Sequence, residues 1–213
     1  MVLPYGVVWC RKFPMNAARN RRSLTAEDWA DAALDAVAES GVEAVAVERI
    51  GRILGVTKGS FYWHFTNRGA LLDASLKRWE RQQTEDVIAR AEMEHDARSR
   101  IHRLFRSADG SKRAGQLYLA FASAANHPRV RPVLQRVNNR RIGFMVDCYL
   151  AVGLAASEAR QRAVLAYSAY LGTLQMRRDT PETIPTGPEF EQYLDYISML
   201  LIPGFAPESV RGA

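Results

Sequence analysis

Residues 47–65 read VERIGRILGVTKGSFYWHF, and this stretch decides how the chain folds. Ile50, Leu54, Val56, Phe61 and Phe65 are spaced so that two short helices can share one small apolar core. Gly55 falls between those helices, at a sharp turn where a positive φ is costly for other residues. The second helix follows Thr57, a residue type suited to an N-cap, and is predicted to run to about Phe65. Its other face carries Lys58, Gly59, Tyr62 and Trp63: one positive charge, one gap that permits close approach, and two aromatics with polar tips. Such a face is a poor solvent surface, and DNA is its natural partner. Two short helices fixed at a large angle, the second presenting side chains to the major groove, make a helix-turn-helix.

Upstream of this unit, Thr25 and Asp28 have the spacing of a capping box, and Leu24 and Trp29 that of a hydrophobic staple. Trp29, Ala32, Ala33, Ala36 and Val37 then form an apolar stripe, with Asp28, Asp31, Asp35 and Glu39 facing outward. Gly41 ends this helix in a position suited to a left-handed cap. Downstream, Thr66 and Asn67 cap a long helix that reaches roughly residue 91, with Leu71, Leu72, Leu76 and Trp79 as its stripe. Further helices fit 96–107, 114–125, 129–152, 157–178 and 189–202. Asp109-Gly110, His127-Pro128, Gly153 and the segment 181–188 separate them. No strand of useful length, internal repeat or low-complexity segment interrupts the pattern. The predicted fold is all-α, about nine helices: a three-helix head at 23–67 and a larger helical body at 68–213, preceded by a basic extension at 1–22.

Composition agrees with an ordinary globular protein. The 213 residues are 47% hydrophobic and 24% charged. No apolar run reaches the length of a membrane span, and the N-terminus lacks the pattern of a signal peptide. No membrane association is expected, and the expected location is cytoplasmic. Met15 opens a more usual start, so the first fourteen residues read either as an extension or as an overlong start. Cys10 and Cys148 read as two unpaired thiols. The net charge of +6 permits nucleic-acid binding, and its distribution says more. Arg11, Lys12, Arg19, Arg21 and Arg22 precede Leu24 with no acidic residue among them. This arm reads equally as a solvated tail or as a backbone or minor-groove contact, with Arg22 nearest the head. His64, His95, His102 and His127 are too scattered for a metal site. No nucleophile, base and orienting group stand together, and no phosphate-binding loop is present. No catalytic residue, metal or cofactor is therefore expected.

The segment GVTKGSFYWHFTNRGALL, residues 55–72, resembles the signature of the tetracycline-repressor (TetR) family. Gly55, Val56, Thr57, Gly59, Tyr62, His64, Phe65 and Leu71 fall where that pattern expects them, and Arg68 replaces a usual lysine. Two departures concern the second helix. Ala46 stands where the family has serine or threonine, a loss of about 1 kcal/mol of capping. Gly51 replaces a usual alanine, a poorer helix former by up to about 1 kcal/mol. The resemblance implies that Thr57, Tyr62, His64 and Arg68 contact phosphates, that Lys58, Gly59 and Ser60 approach base edges, and that Trp63 packs at the groove. Among these, Lys58 is the expected guanine contact, since Lys or Arg to guanine is the commonest specific pairing.

The resemblance also implies a body that dimerises and hosts a small molecule. The last two helices offer a dimer face through Val164, Leu171, Leu174, Tyr193, Leu194, Ile197, Leu200 and Leu201, which alternatively pack inside one subunit. His102, Phe105, Tyr118, Phe121, Phe144, Cys148, Tyr149 and Tyr167 offer a pocket lining or, equally, plain core. Arg129, Arg131, Arg136, Arg140 and Arg141 read as a solvated face or as partners for an acidic effector or protein. The expected function is a homodimeric transcriptional regulator, a repressor released from a pseudo-palindromic double-stranded operator by a small-molecule effector. The alternatives are a helical enzyme or small-molecule-binding protein, or a module whose head mediates protein contacts.

Overall fold

The computed structural model describes residues 24–107 and 112–206, and every regular element among them is helical. The basic arm with Arg22, Cys10 and the Asp109-Gly110 break lie outside the described residues. Among the described residues, nine α-helices follow in order. They are α1 (Ala26–Ser40), α2 (Val47–Leu54), α3 (Lys58–Tyr62), α4, α5 (Ala97–Ser107), α6 (Lys112–Ser123), α7 (Val130–Ala151), α8 (Ala156–Asp179) and α9 (Pro188–Leu201). Helix α4 runs without a break from Arg68–Glu80 through a π-helical segment, Arg81–Glu85, into Asp86–Glu92. No helix of the described residues is long and apolar enough to cross a membrane.

The capping box at α1 forms in both directions. Asp28 N–H donates to Thr25 Oγ1 at 3.2 Å, and Thr25 N–H donates to Asp28 Oδ2 at 2.7 Å. At its end Gly41 has φ 78° but ψ 179°, a positive-φ conformation open to glycine but outside the expected αL cap; its N–H donates to Val37 O and it leads into a short 3-10 turn. Helix α2 has the predicted bounds, and its N-cap Ala46 supplies no side-chain bond. Gly55 takes the αL conformation, φ 68° and ψ 32°, that the turn requires.

Helix α3 departs from expectation twice. It ends at Tyr62, short of Phe65, and Thr57 makes no side-chain cap. Packing explains the early end. Phe61 stacks on Phe65 at 5.6 Å and meets Trp29 edge-on at 5.4 Å, so the chain turns after Tyr62 to bring both phenyl rings under α1. Phe65 N–H still donates to Phe61 O at 3.0 Å, closing that turn.

The head's core does not stop at the head. Trp29, Ile50 and Phe61 belong to one buried cluster with Leu71, Leu72, Leu76 and Trp79 of α4, Leu117 and Phe121 of α6, and Val130 of α7. A second cluster gathers Ile88 of α4, Ile101 and Phe105 of α5, Phe144, Cys148 and Tyr149 of α7, and Ala163 of α8. Helix α4 contributes to both.

Ion pairs follow the same path. The outward carboxylates of α1 turn out to be held: Arg78 of α4 reaches Asp31 (Nη2 to Oδ2, 2.6 Å) and Glu27 (2.9 Å), and Arg113 of α6 reaches Asp35 (2.6 Å). Three exposed arginines of the α7 run are paired as well as solvated. Arg129 pairs with Asp73, Arg136 forks onto Glu80 at 2.8 and 3.0 Å, and Arg140 approaches Glu85 at 3.4 Å. Each exposed pair adds at most about 1 kcal/mol, so their effect is to fix the register of α7 on α4.

The uncapped start of α2 generates a stability prediction. Ala46 has the extended backbone of an N-cap (φ −117°, ψ 134°), so Ala46→Ser is expected to stabilise the protein by about 1 kcal/mol. Urea denaturation measures this, and an unchanged or lowered midpoint would contradict it.

Candidate DNA-binding surface and internal cavity

Helix α3 divides its side chains cleanly. Phe61 is fully buried, whereas Tyr62 is 58% and Trp63 87% exposed. Lys58 and Gly59 are exposed on the same side, and only Thr57 Oγ1, at 3.6 Å, lies near where a Cβ on Gly59 would stand. Ser60 and His64 are half-buried at the edges of this face. The large exposed aromatics and the open glycine match the face expected from the sequence.

Two charged candidates carry partners that the sequence did not reveal. Lys58 Nζ lies 2.7 Å from Glu48 Oε1 of α2, and both groups are exposed. This hydrogen bond and the attraction between the charges raise the Lys58 pKa and lower that of Glu48. Arg68 points back under the head: Nε donates to Val45 O at 2.6 Å, and Nη2 to Val42 O at 3.3 Å and Glu43 Oε2 at 2.8 Å. It thereby satisfies carbonyls of the loop between α1 and α2.

A cavity of about 580 Å³ opens in the body between the π segment of α4 and helices α5, α7 and α8. Of the eight residues expected to line a pocket, Phe105, Phe144 and Tyr167 do so. The other five lie elsewhere. Tyr118 lies under Arg141, whose guanidinium carbon sits 5.7 Å from its ring centroid. Phe121 packs on Trp79 at 4.7 Å, and Cys148 and Tyr149 fill the second core. His102 turns toward α9, with Nδ1 3.0 Å from Ser198 Oγ and its ring 4.6 Å from Phe205. The lining not expected from the sequence is partly apolar, with Ile88, Leu104 and Met145, and partly polar, with Gln83, Thr84, Arg141 and Tyr170. Tyr170 carried a usable signal, since it lies one turn beyond Tyr167 on the same helix face. The π segment that presents Gln83 and Thr84 carried none.

The eight expected dimer residues also separate. Leu174 and Leu194 are buried within the subunit, and Leu171, Tyr193, Ile197 and Leu201 are half-buried against its cores. Val164 and Leu200 remain exposed, joined by Leu165 and Met176 on α8 and Tyr196 and Met199 on α9.

Comparison with known proteins places this geometry. Residues 30–75 match the family model described as bacterial regulatory proteins, tetR family. The head of this chain is thus similar to that of the TetR family. The HTH-type transcriptional regulator TtgR of Pseudomonas putida is 24% identical over 187 residues, covering 78% of this chain and 85% of its own length. The class A tetracycline repressor from transposon 1721 of Escherichia coli is 46% identical over 43 residues, 20% of each chain. A transcriptional regulator from Rhodococcus sp. Rha1 shares the fold, with a TM-score of 0.72 at 21% identity, covering 86% of this chain and all of its own. Shared TetR sequence is thus concentrated in the head, and the shared fold extends through the body.

Cys148 is buried in the second core. Burial pushes this thiol up to about 11, so at pH 8 it is protonated and enclosed. Iodoacetamide should label the Cys148 peptide only after denaturation. Rapid labelling of the native protein would place Cys148 at an open cavity.

Proposed function

We propose that this protein is a homodimeric TetR-family repressor that holds pseudo-palindromic operator DNA and releases it when a small molecule fills the body cavity. The carrying observation is the exposed set Lys58, Tyr62 and Trp63, held outward because Phe61 is locked under Trp29. On DNA, Thr57, Tyr62 and His64 contact phosphates, while Lys58, Gly59 and Ser60 approach base edges and Trp63 packs at the groove wall. Phosphate contacts set register and affinity, and only base contacts read sequence. Lys58 reaches its guanine by leaving Glu48. Arg68 supports the loop at the head's base, with a phosphate contact at its exposed edge, and Arg22 adds a contact from the basic arm.

Two copies meet through the exposed apolar face of α8 and α9, an isologous patch that places two α3 helices in successive major grooves about 34–36 Å apart. Release follows from the reach of α4. Its first turns pack in the head's core and its π segment forms a cavity wall, so a ligand that favours a different wall also favours a different spacing of the heads. The homologues are transcriptional regulators rather than enzymes, in agreement with a binding role for the cavity.

Random-site selection followed by gel shift tests the DNA reading; absence of any sequence-selective shift at moderate salt would contradict it. On the selected site, Tyr62→Ala should weaken all variants of the sequence nearly uniformly. Lys58→Ala should instead lose about 1–3 kcal/mol of discrimination at one position of each half-site. Identical profiles for the two variants would overturn the assigned roles. For the dimer, the double change Leu165→Asp and Leu200→Asp should convert the protein to monomer in sedimentation velocity, and an unchanged sedimentation coefficient would exclude this face.

A further inference from the structure

Arg141 differs from the other arginines of α7. Arg129, Arg136 and Arg140 are exposed and face carboxylates of α4. Arg141 is half-buried and borders the cavity, and its partners are neutral. Nε donates to Thr84 Oγ1 at 3.1 Å, Nη2 to Gln83 O at 2.8 Å and Nη1 to the Tyr167 hydroxyl at 3.4 Å. Among the described residues, no carboxylate lies within ion-pair distance of it. A cation partly withdrawn from water and given only neutral acceptors retains a charge that a ligand can match.

The rest of the lining has the same sign. Arg90, Arg103 and Arg106 border the cavity, and the one carboxylate lining it among the described residues, Glu191, is already paired with Arg106 at 2.5 Å. The lining also has an apolar part, formed by Ile88, Leu104, Phe105, Phe144 and Met145. Burial raises the pKa of Tyr167 and of Tyr170, so both phenols stay protonated beside Arg141. A volume of about 580 Å³ suits a ligand of drug-like size.

We propose that the cavity binds an organic anion, a carboxylate or sulfonate on an apolar or aromatic body, with the anionic group on Arg141 and the body against Phe105 and Phe144. The guanidinium fork suits such a group because it can donate two parallel hydrogen bonds to it. This inference rests on the reading of the cavity as the effector site and adds the chemistry of what enters it.

A matched pair of fluorescent probes tests the charge. 8-Anilinonaphthalene-1-sulfonate and N-phenyl-1-naphthylamine share their ring system and differ by the sulfonate. Titrated into the full-length protein at pH 7, the sulfonate should bind at least about tenfold more tightly, as a charge-assisted contact of roughly 1.4 kcal/mol implies. Arg141→Gln should remove that preference and leave the neutral probe within about twofold of wild type. A purely structural Arg141 would instead weaken both probes together, which overturns the proposal. Equal affinities in the wild type, or a preference that survives Arg141→Gln, overturn it as well and leave the effector-cavity reading standing. Failure of both probes to bind the wild type removes both readings. Should Arg141→Gln lose its helical circular dichroism, Arg141→Lys decides: a reduced but persistent preference supports the assignment, and unchanged sulfonate affinity overturns it.

Discussion

The unbroken backbone of α4 is the constraint on which the rest of the molecule depends. From Arg68 to Glu92 the chain never leaves helical geometry, although its hydrogen bonding widens to the π pattern at Arg81–Glu85. The first half sits in the head's core through Leu71, Leu72 and Leu76, and the second half forms part of the cavity wall. A helix is stiff over this length, so displacement at one end is felt at the other. The arginines of α7 hold this rod at Asp73, Glu80 and Glu85, one contact before the π segment, one at its edge and one within it. π segments recur at functional sites, and here the widened turn presents Gln83 O to Arg141 at the cavity.

The head is built around Phe61. With Trp29 edge-on to it and Phe65 stacked upon it, the short α3 has no freedom to rotate its exposed face inward. Helix α2 contributes less, being uncapped. Gly51 at its centre has a packing reason that outweighs poor helix propensity. A Cβ there would stand 3.3 Å from Val56 O and 3.7 Å from the Trp29 indole, so its absence lets the turn close against α1. The loss of helix propensity and the close approach are two sides of the same choice.

Legibility in the sequence divides along physical lines. Helical periodicity and caps were readable, because a stripe such as Leu71, Leu72, Leu76 and Trp79 is local information. The bounds of α2 and the capping box at Thr25 emerged intact for that reason. What a face packs against is not local. Tyr118 and Phe121 satisfy the pattern of a pocket lining yet face a helix, and Leu174 and Leu194 satisfy that of a dimer face yet lie in the subunit's own cores. Polar partners were harder still. Nothing in the spacing of Lys58 or Arg68 shows that Glu48 and the Val45 carbonyl stand opposite them. Thr57 has the right residue type for a cap and does not use it.

The central claim is that α3 enters the major groove in two symmetric places. Dimethyl sulfate footprinting of the selected operator tests it most directly, because the reagent methylates guanine N7 on the major-groove edge. The account predicts two clusters of protected guanines, about 10–10.5 base pairs between centres or a multiple of that spacing. A single protected cluster, or binding that leaves every guanine N7 open, would contradict it.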